Sequence, residues 1–320
     1  MNNRTVLVTG GAGFIGSHIV NALVHLGASK IRILDNLATG SISNIQSLLD
    51  KYPNIEFILG DVCNLETCKE ACSGIDIICH QAALGSVPRS VDNPLGSHTS
   101  NVTGFINILV AAKENGIKRI VYASSSSVYG TNNKSIKIEE ENGMPISPYA
   151  ATKYIDEIYA YTFYKTYGLE CIGLRYFNIF GPRQNPNGVY AAVIPRFITN
   201  ILNEKQSTIN GDGNNSRDFT YIDNAVQANI LALTTEDSKC FGQVFNVGTH
   251  NTLSVKDLYY KIKNIMGSSI EPVYGPPRQG DVPYSCASID KISLLLGYKP
   301  TIFFEEGLEK TIEYFKSQNE

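Results

Sequence analysis

The chain has 320 residues and a mass of 35.1 kDa, a length that suits one large or two ordinary domains. Apolar types make up 43% of the residues and charged types 18%, a composition that excludes intrinsic disorder. The formal net charge of −3 gives no sign of the cation clusters that bind nucleic-acid phosphates.

The seven cysteines point to a reducing environment. Their number is odd and no CxxC pair occurs, which is typical of free thiols in the cytoplasm. Cys68 and Cys72 lie four residues apart, but no histidines stand nearby to complete a zinc site, so we expect no metal. No apolar run approaches the ~20 residues that span a bilayer, and the run at residues 5–16 is broken by glycines, unlike a signal peptide. We therefore expect a soluble, cytoplasmic protein without membrane contact.

In the first half of the chain, short apolar runs alternate with helical stretches. Predicted strands cover residues 5–9, 31–34, 55–59, 75–79, 119–124 and 169–175, and predicted helices cover residues 15–26, 103–115 and about 148–167. The strand runs are nearly continuous in apolar character, which indicates burial on both faces of a parallel sheet. The alternation predicts an α/β fold with a doubly wound parallel sheet of the Rossmann type.

Beyond residue 178, glycine- and proline-rich loops separate short apolar elements. Residues 244–247 have the character of one more strand of the main sheet. We therefore predict a nucleotide-binding Rossmann domain at residues 1–178, to which residues 211–250 partly return. Residues 179–210 and 251–320 are predicted to form a smaller α+β substrate domain.

Residues 6–16 run from a strand through a glycine turn into a helix. In this pattern Gly10 permits the tight turn, Gly13 lets the backbone approach a pyrophosphate, and Gly16 allows close packing of helix on strand. The N-terminus of the helix then offers free N–H groups and the positive end of its dipole to phosphates. Such a triplet also occurs in ordinary βα turns, but its position and the acidic residue that follows favour dinucleotide binding.

Acidic residues end the second and third predicted strands. Asp35 lies nineteen residues beyond Gly16, where a carboxylate accepts hydrogen bonds from a ribose 2′-hydroxyl and repels a 2′-phosphate. Asp61 and Val62 end the third strand and are expected to flank the adenine. The pattern predicts NAD rather than NADP as the cofactor.

Tyr149 and Lys153 open the predicted helix after Pro148 and lie one turn apart on the same face. A nearby ammonium favours the phenolate form of a tyrosine, which makes the phenol a usable base. This spacing alone is common on helices. However, the preceding strand ends in the serine run 124–127, and ligands bind at the carboxyl ends of such strands. Together these features indicate a catalytic site.

These motifs together resemble the extended short-chain dehydrogenase/reductase family, specifically the nucleotide-sugar 4-epimerases, over essentially the whole chain. The resemblance rests on residues 10–16, 35–37, 81–83, 125, 149–153 and 174–178. It implies that Tyr149 takes the proton of the sugar C4 hydroxyl, that Ser125 hydrogen-bonds the same oxygen and that Lys153 binds the nicotinamide ribose. Hydride passes from C4 to tightly held NAD and returns to the other face of the 4-keto sugar.

The glycine loop, the acids and the resemblance together predict the cofactor contacts. They are Gly10, Gly13, Phe14, Ile15, Gly16, Asp35, Asn36, Asp61, Val62, Gln81, Ala82, Ala83, Tyr149, Lys153 and Tyr176. The substrate contacts implied by the resemblance are Gly85, Ser86, Ser125, Ser126, Ser127, Asn178, Tyr190, Ala192, Val193, Arg217, Arg278, Asp281 and Ser285. Asn101 stays open between a helix N-cap and a position near the active site.

The substrate prediction depends on a few positions. The related 4,6-dehydratases carry Thr-Asp-Glu where this chain has residues 125–127, all serine, so dehydration is disfavoured. Residues 83–90 and 187–195 resemble the epimerases that prefer UDP-N-acetylhexosamines. Galactose-restricted members carry a large Tyr where this chain has Ser285, and a small side chain there leaves room for a 2-acetamido group.

The resemblance thus predicts an enzyme that interconverts UDP-N-acetylglucosamine and UDP-N-acetylgalactosamine for polysaccharide biosynthesis. The alternatives are a UDP-glucose/galactose or a UDP-glucuronate 4-epimerase. A non-catalytic dinucleotide-binding regulator is the alternative from another class, and it would be expected to lack the pair Tyr149 and Lys153.

The helix after Pro148 carries apolar or aromatic groups on nearly every face, more than one core-facing stripe needs. The resemblance implies a homodimer in which this helix and the helix at residues 103–115 form a four-helix bundle with a partner chain. The alternative is burial against the chain's own second domain.

Overall fold

In the computed structural model, the chain folds around one seven-stranded parallel sheet; the structure describes residues 1, 3–187, 190–277 and 284–319. The strands are β1 (Thr5–Thr9), β2 (Lys30–Asp35), β3 (Ile55–Leu59), β4 (Ile77–His80), β5 (Arg119–Ser125), β6 (Ile136–Lys137), β7 (Glu170–Tyr176), β8 (Ile179–Phe180), β9 (Thr208–Asn210), β10 (Ser216–Arg217), β11 (Thr220–Tyr221), β12 (Gln243–Val247), β13 (Leu253–Ser254), β14 (Val273–Gly275) and β15 (Tyr284–Ala287). The α-helices are α1 (Phe14–His25), α2 (Gln46–Lys51), α3 (Leu65–Cys72), α4 (Val87–Asp92), α5 (Pro94–His98), α6 (Gly104–Glu114), α7 (Pro148–Tyr167), α8 (Val193–Leu202), α9 (Ile222–Thr234), α10 (Val255–Ile265), α11 (Asp290–Leu296) and α12 (Phe304–Ser317).

The large sheet has the strand order β12-β7-β5-β4-β1-β2-β3, and every neighbouring pair is parallel. The predicted doubly wound sheet is therefore confirmed, with small shifts of the element bounds. The largest shift is at β4, which begins at Ile77 instead of residue 75; just before it, the side chain of Asp76 accepts a hydrogen bond from the Thr5 N–H at 2.7 Å.

Alternation along β1 shows why the sheet is apolar on both faces. Val6 and Val8 belong to the core on the side of α1 and α9, whereas Leu7 belongs to the core on the side of α3 and α6. Because all three side chains are fully buried, the strand needs no polar face.

The remaining strands form smaller sheets beside the large one. β13, β10, β15 and β6 make a four-stranded sheet, and β11-β8 and β14-β9 are two-stranded. β6 comes from the first part of the chain yet pairs with β15 near its end. Residues of α8, α10 and α12 join the same apolar core as one face of the large sheet, so the two parts are packed continuously.

Over the ranges that the structure describes, no helix has the length and apolar character needed to cross a bilayer. All seven cysteines are free.

Candidate active site

The glycine turn between β1 and α1 is held by close backbone contacts. Gly10 has φ +68°, and its carbonyl oxygen accepts a hydrogen bond from the Gly13 N–H at 3.0 Å. A Cβ at Gly10 would lie 2.7 Å from the backbone nitrogen of Ala82, and a Cβ at Gly16 would overlap the Gly10 carbonyl oxygen. Among the residues that the structure describes, no side chain caps the N-terminus of α1, so its first N–H groups remain available to an anion.

The acids at the ends of β2 and β3 are fixed by backbone donors. Asp35 accepts hydrogen bonds from the Ala12 N–H at 2.9 Å and from the Leu37 N–H at 2.8 Å, each on a different oxygen. Asp61 accepts from the Asn36 amide and from the Cys63 N–H, both at 2.8 Å. Partial burial by itself would raise the pKa of Asp61, but these hydrogen bonds outweigh it and lower the pKa. Asp61 is therefore anionic at neutral pH.

A cavity of about 590 Å³ runs from this turn along the carboxyl ends of the strands. All fifteen predicted cofactor contacts line it: Gly10, Gly13, Phe14, Ile15, Gly16, Asp35, Asn36, Asp61, Val62, Gln81, Ala82, Ala83, Tyr149, Lys153 and Tyr176. The uncapped helix N-terminus, the glycine cradle and the buried acid of β2 suit a dinucleotide with a free ribose 2′-hydroxyl. The residues present therefore fit NAD.

Helix α7 begins where its sequence predicts and carries two side chains into this cavity. Ser147 caps the helix by accepting a hydrogen bond from the Ala150 N–H at 3.1 Å, and Pro148 occupies the first turn. The Tyr149 N–H donates to the Ser90 hydroxyl at 2.9 Å, which ties the start of α7 to α4. One turn on, Lys153 is 2% exposed. Local sequence signals thus aim both residues at the cleft.

The Lys153 ammonium pairs with a carboxylate that sequence reasoning missed. Its Nζ lies 3.2 Å from Asp156 Oδ2, and both side chains are 2% exposed. Burial raises the pKa of Asp156 to about 7 although the ammonium acts in the opposite direction. The nearby His80 is also buried, which together with repulsion by Lys153 lowers its pKa to about 3, so its ring is neutral.

A second buried ion pair joins α7 to the sheet. Arg175 on β7 donates two hydrogen bonds to Glu157, one to each carboxylate oxygen at 2.8 Å, and the Ser124 hydroxyl donates a third at 2.5 Å. Arg175 is 1% exposed, and its guanidinium lies 4.8 Å from the centre of the Tyr129 ring. Sequence reasoning assigned this pair no role, because its partners are eighteen residues apart and belong to different elements.

A cavity of about 480 Å³ adjoins the first and contains the serine run. It is lined by Ser125, Ser126 and Ser127, and Tyr149 and Tyr176 line both cavities. The Ser125 Oγ accepts hydrogen bonds from the Ser127 N–H at 3.2 Å and from the Ser127 hydroxyl at 2.9 Å. This leaves its own hydroxyl proton free for an oxygen in the cavity.

A wider cavity of about 710 Å³ opens beside it, between α4, α8 and β10. Together the two cavities are lined by the eleven described members of the predicted substrate set: Gly85, Ser86, Ser125, Ser126, Ser127, Asn178, Tyr190, Ala192, Val193, Arg217 and Ser285. Tyr190 donates a hydrogen bond from its hydroxyl to Asp92 at 2.7 Å, under the Arg89 guanidinium. Arg278 and Asp281 lie outside the described residues.

The alternation of side chains along β15 separates two neighbours. Ser285 is buried and lines the 480 Å³ cavity, whereas Tyr284 is 54% exposed. β15 is held in this register by β10, where Arg217 pairs with Ser285. The small side chain, not the aromatic one, therefore faces the serine run.

Asn101 is not an N-cap. It lies inside a π-helical turn, Thr99–Thr103, that joins α5 to α6 without a break, and it is fully buried. Its side chain accepts a hydrogen bond from the Leu84 N–H at 2.7 Å and donates to the Leu84 carbonyl oxygen and to the Thr152 hydroxyl. It thereby fixes the loop after β4 against α7, next to Tyr149.

Within the described ranges, no group of three or more His, Cys, Asp or Glu side chains is arranged to hold a metal ion. The carboxyl edge of the sheet thus presents a dinucleotide site beside a hydroxyl-lined pocket, with a tyrosine and a lysine where the two meet. Such an arrangement defines a dinucleotide-dependent enzyme of the Rossmann class.

Comparison with known proteins gives the family. Residues 6–248 match the model of the NAD dependent epimerase/dehydratase family, and the chain belongs to that family. It is 35% identical to a UDP-glucose 4-epimerase of Mycolicibacterium smegmatis, over 98% of this chain and 99% of the relative. The chain is NAD-dependent, as the family is, and the predicted cofactor is confirmed.

Two solved structures are similar over nearly their whole length. A UDP-N-acetylglucosamine 4-epimerase from Methanobrevibacter ruminantium, in complex with UDP-N-acetylmuramic acid, is 39% identical with a TM-score of 0.93, over 99% of this chain and all of that one. A UDP-glucuronic acid 4-epimerase from Bacillus cereus, with UDP-glucuronic acid and NAD, is 32% identical with a TM-score of 0.92, over 98% and 99% of the two chains. The chain is therefore an enzyme of the epimerase/dehydratase family, with UDP-sugar 4-epimerases among its relatives.

The buried pair of Glu157 and Arg175 gives a stability prediction. Arg175→Met keeps most of the side-chain volume but leaves the Glu157 carboxylate buried and uncompensated. We expect the free energy of unfolding to fall by about 3–5 kcal/mol, measured by denaturant titration. Adding Glu157→Gln should recover part of the loss, because the orphaned charge is removed.

The matched control is Lys310→Met, which removes an exposed i,i+4 pair with Glu306 on α12. We expect its denaturation midpoint to stay at the value of the unchanged protein. An Arg175→Met protein as stable as this control would show that the buried pair does not hold α7 to the sheet.

Proposed function

We propose that this enzyme interconverts UDP-N-acetylglucosamine and UDP-N-acetylgalactosamine at C4 of the sugar. The observation that carries the proposal is the small, buried Ser285 in the cavity that also contains Ser125 and Tyr149. A 2-acetamido group needs more space than a hydroxyl, and a bulky side chain at this position would remove that space.

In the proposed mechanism, the Tyr149 phenolate takes the proton of the C4 hydroxyl while the Ser125 hydroxyl donates a hydrogen bond to the same oxygen. Bound NAD supplies the hydride acceptor at C4 and later the hydride donor. Tyr149 then holds the proton and returns it to the C4 oxygen when the configuration at C4 is inverted. Lys153 favours the phenolate through its charge and binds the nicotinamide ribose through its remaining N–H groups.

Between the two hydride transfers the 4-keto sugar must rotate to present its other face, and the pocket suits this rotation. Ser125, Ser126 and Ser127 are short side chains that offer hydrogen bonds without filling the cavity. Residues 126 and 127 also lack the carboxylates that would eliminate water, which argues against dehydration.

The nucleotide half of the substrate is proposed to occupy the 710 Å³ cavity. Arg217 supplies a guanidinium suited to phosphate oxygens, and Arg278 is proposed to act with it. Tyr190, Ala192 and Val193 line the same cavity at the start of α8. Asn178 and Gly85 stand at its border with the smaller cavities.

UDP-glucose and UDP-glucuronate are the alternative substrates, because relatives with these activities are 35% and 32% identical to the chain, against 39% for the N-acetylglucosamine enzyme. A pocket large enough for a 2-acetamido group also admits a 2-hydroxyl. The structure therefore gives Ser285 no means of excluding these sugars.

We also propose a homodimer through α6 and α7. Ile158 and Tyr161 on α7 are 51% and 52% exposed, so these two side chains are not covered by the chain's own second part, which favours the dimer over that alternative. Leu95 on α5 adds a third large apolar side chain, 78% exposed. A face of this kind is typical of a helical interface.

The activity is tested by incubating the protein with UDP-N-acetylglucosamine, UDP-glucose and UDP-glucuronate, without added NAD, and reading C4 inversion by NMR. We expect inversion of the first. Tyr149→Phe should lower turnover by about 10²–10⁴-fold, the range for loss of a general base, and should keep NAD bound. Tyr164→Phe on the same helix is the control. No inversion of UDP-N-acetylglucosamine would contradict the substrate; unchanged turnover by Tyr149→Phe would contradict the base.

The proposed role of Ser285 in leaving space for the acetamido group is tested by Ser285→Tyr, assayed on acetylated and non-acetylated substrates. We expect UDP-N-acetylglucosamine turnover to fall about 10-fold or more relative to UDP-glucose, because the phenol ring fills the acetamido space. Tyr284→Ser, one residue away on the opposite face of β15, should leave the ratio unchanged. An unchanged ratio in Ser285→Tyr would show that residue 285 does not determine the preference for acetylated substrates.

The dimer is tested by sedimentation at micromolar concentration. We expect the unchanged protein to sediment as a dimer and Ile158→Asp to sediment as a monomer, because a charge on that face must be desolvated in the interface. Leu294→Asp, which changes an exposed leucine of α11, should stay dimeric. A monomeric unchanged protein would contradict the proposal.

A further inference from the structure

Asp156, a buried carboxylate of α7, takes no part in the mechanism above. Asp156 lies on the same helix as Tyr149 and Lys153, and its Oδ2 is 3.2 Å from the Lys153 Nζ. Both side chains are almost completely removed from water. A buried ammonium requires a nearby compensating charge, and several groups around Lys153 are candidates for it.

The other charged and titratable groups around the pair do not supply it. Glu157 on α7 is already matched by Arg175 on β7 and by the Ser124 hydroxyl. His80 on β4 is neutral, because burial and Lys153 lower its pKa to about 3. Burial raises the pKa of Tyr122 on β5 well above its ordinary value, so its phenol keeps its proton. Asp156 is therefore the counter-ion of Lys153.

The Asp156 carboxylate is poorly supported by hydrogen bonds. Its Oδ1 is buried without a hydrogen-bond partner among the described residues. The buried Asp218 differs, since its two oxygens accept from Thr249, His250 and Ala287. Burial raises the pKa of Asp156 to about 7, so it changes charge within the neutral range.

We propose that Asp156 sets the charge that Lys153 presents to Tyr149. Ionised Asp156 offsets the ammonium, and protonated Asp156 leaves the full field of the ammonium on the phenol. Asp156 does not touch the reacting atoms: it offsets at Tyr149 the charge of its partner Lys153, so it is a positioning residue, and the inference rests on the proposed role of Tyr149 as base. Tyr149 and Asp156 are seven residues apart on one helix, about 10 Å along its axis. At an effective dielectric constant of about 20, a unit charge at that distance shifts an ionisation by on the order of one pH unit.

The test is an ultraviolet titration of the Tyr149 phenolate in the NAD-loaded protein, isolated by subtracting the same protein with Tyr149→Phe. Asp156→Asn keeps the size of the side chain and an acceptor for Lys153 but removes the charge. Because a negative charge opposes phenolate formation, we expect Tyr149 to ionise at a pH lower by on the order of one unit. Glu139→Gln, a buried carboxylate with a raised pKa that lies outside the cleft lining, should leave the titration unchanged.

A purely structural role is distinguishable. In that case Asp156→Asn lowers the melting temperature but leaves the phenolate titration in place, and the proposal is overturned. A shift to higher pH would overturn it as well. Neither readout requires turnover, so the result stands apart from the success or failure of the proposed epimerase activity.

A second measurement needs no change at Asp156, in case Asp156→Asn does not fold. NMR of the unchanged protein with ¹³C at the tyrosine ζ carbon follows Tyr149 directly, with Tyr149→Phe as the assignment control. We expect a two-step titration curve, with an inflection in the neutral range as Asp156 ionises. A single step would contradict the coupling.

Discussion

The bidentate ion pair between Glu157 and Arg175 fixes the position of the helix on which the site depends. Removing two charges from water is unfavourable, and the loss is offset only when every hydrogen bond is made. Here Arg175 reaches both carboxylate oxygens and Ser124 adds a third donor, a geometry that one rotation of α7 satisfies. Because Tyr149 and Lys153 share that helix, the ion pair sets their direction as well as the packing.

The parallel sheet supplies the other half of the site, since all its strands end at the same edge. β1 delivers the glycine turn there, β2 delivers Asp35, and β5 delivers Ser125 beside Tyr176 of β7 through their paired register. The close approach of Gly10 to Ala82 brings the loop after β4 against the turn. The binding surface is therefore a consequence of strand order and close packing.

The parts of this site that sequence reasoning found are those whose signal is local. Each of these signals lies in a few consecutive residues: the glycine turn, the acid that ends β2, and the cap and proline that begin α7. Asp156, His80 and Arg175 were missed as site residues, because a polar residue in a helix or strand carries no local sign of burial. Their meaning comes from partners that only the fold brings near. Asn101 shows the same limit, since the sequence left it open between a helix cap and a position near the active site, whereas its amide in fact holds Leu84.

Two non-glycine residues with positive φ lie where the cavities meet. Ser86 has φ +93° and Asn178 has φ +38°, conformations that glycine would adopt at lower free energy. At position 178 an asparagine makes a contact that glycine could not, because its side chain donates a hydrogen bond to the Asp218 carbonyl oxygen at 3.2 Å. Ser86 makes a weaker local contact, with its Oγ 3.5 Å from the Arg89 N–H, so the fold gains little from its hydroxyl. Because Ser86 lines both the 480 Å³ and the 710 Å³ cavities, its hydroxyl also suits the substrate contact proposed for it.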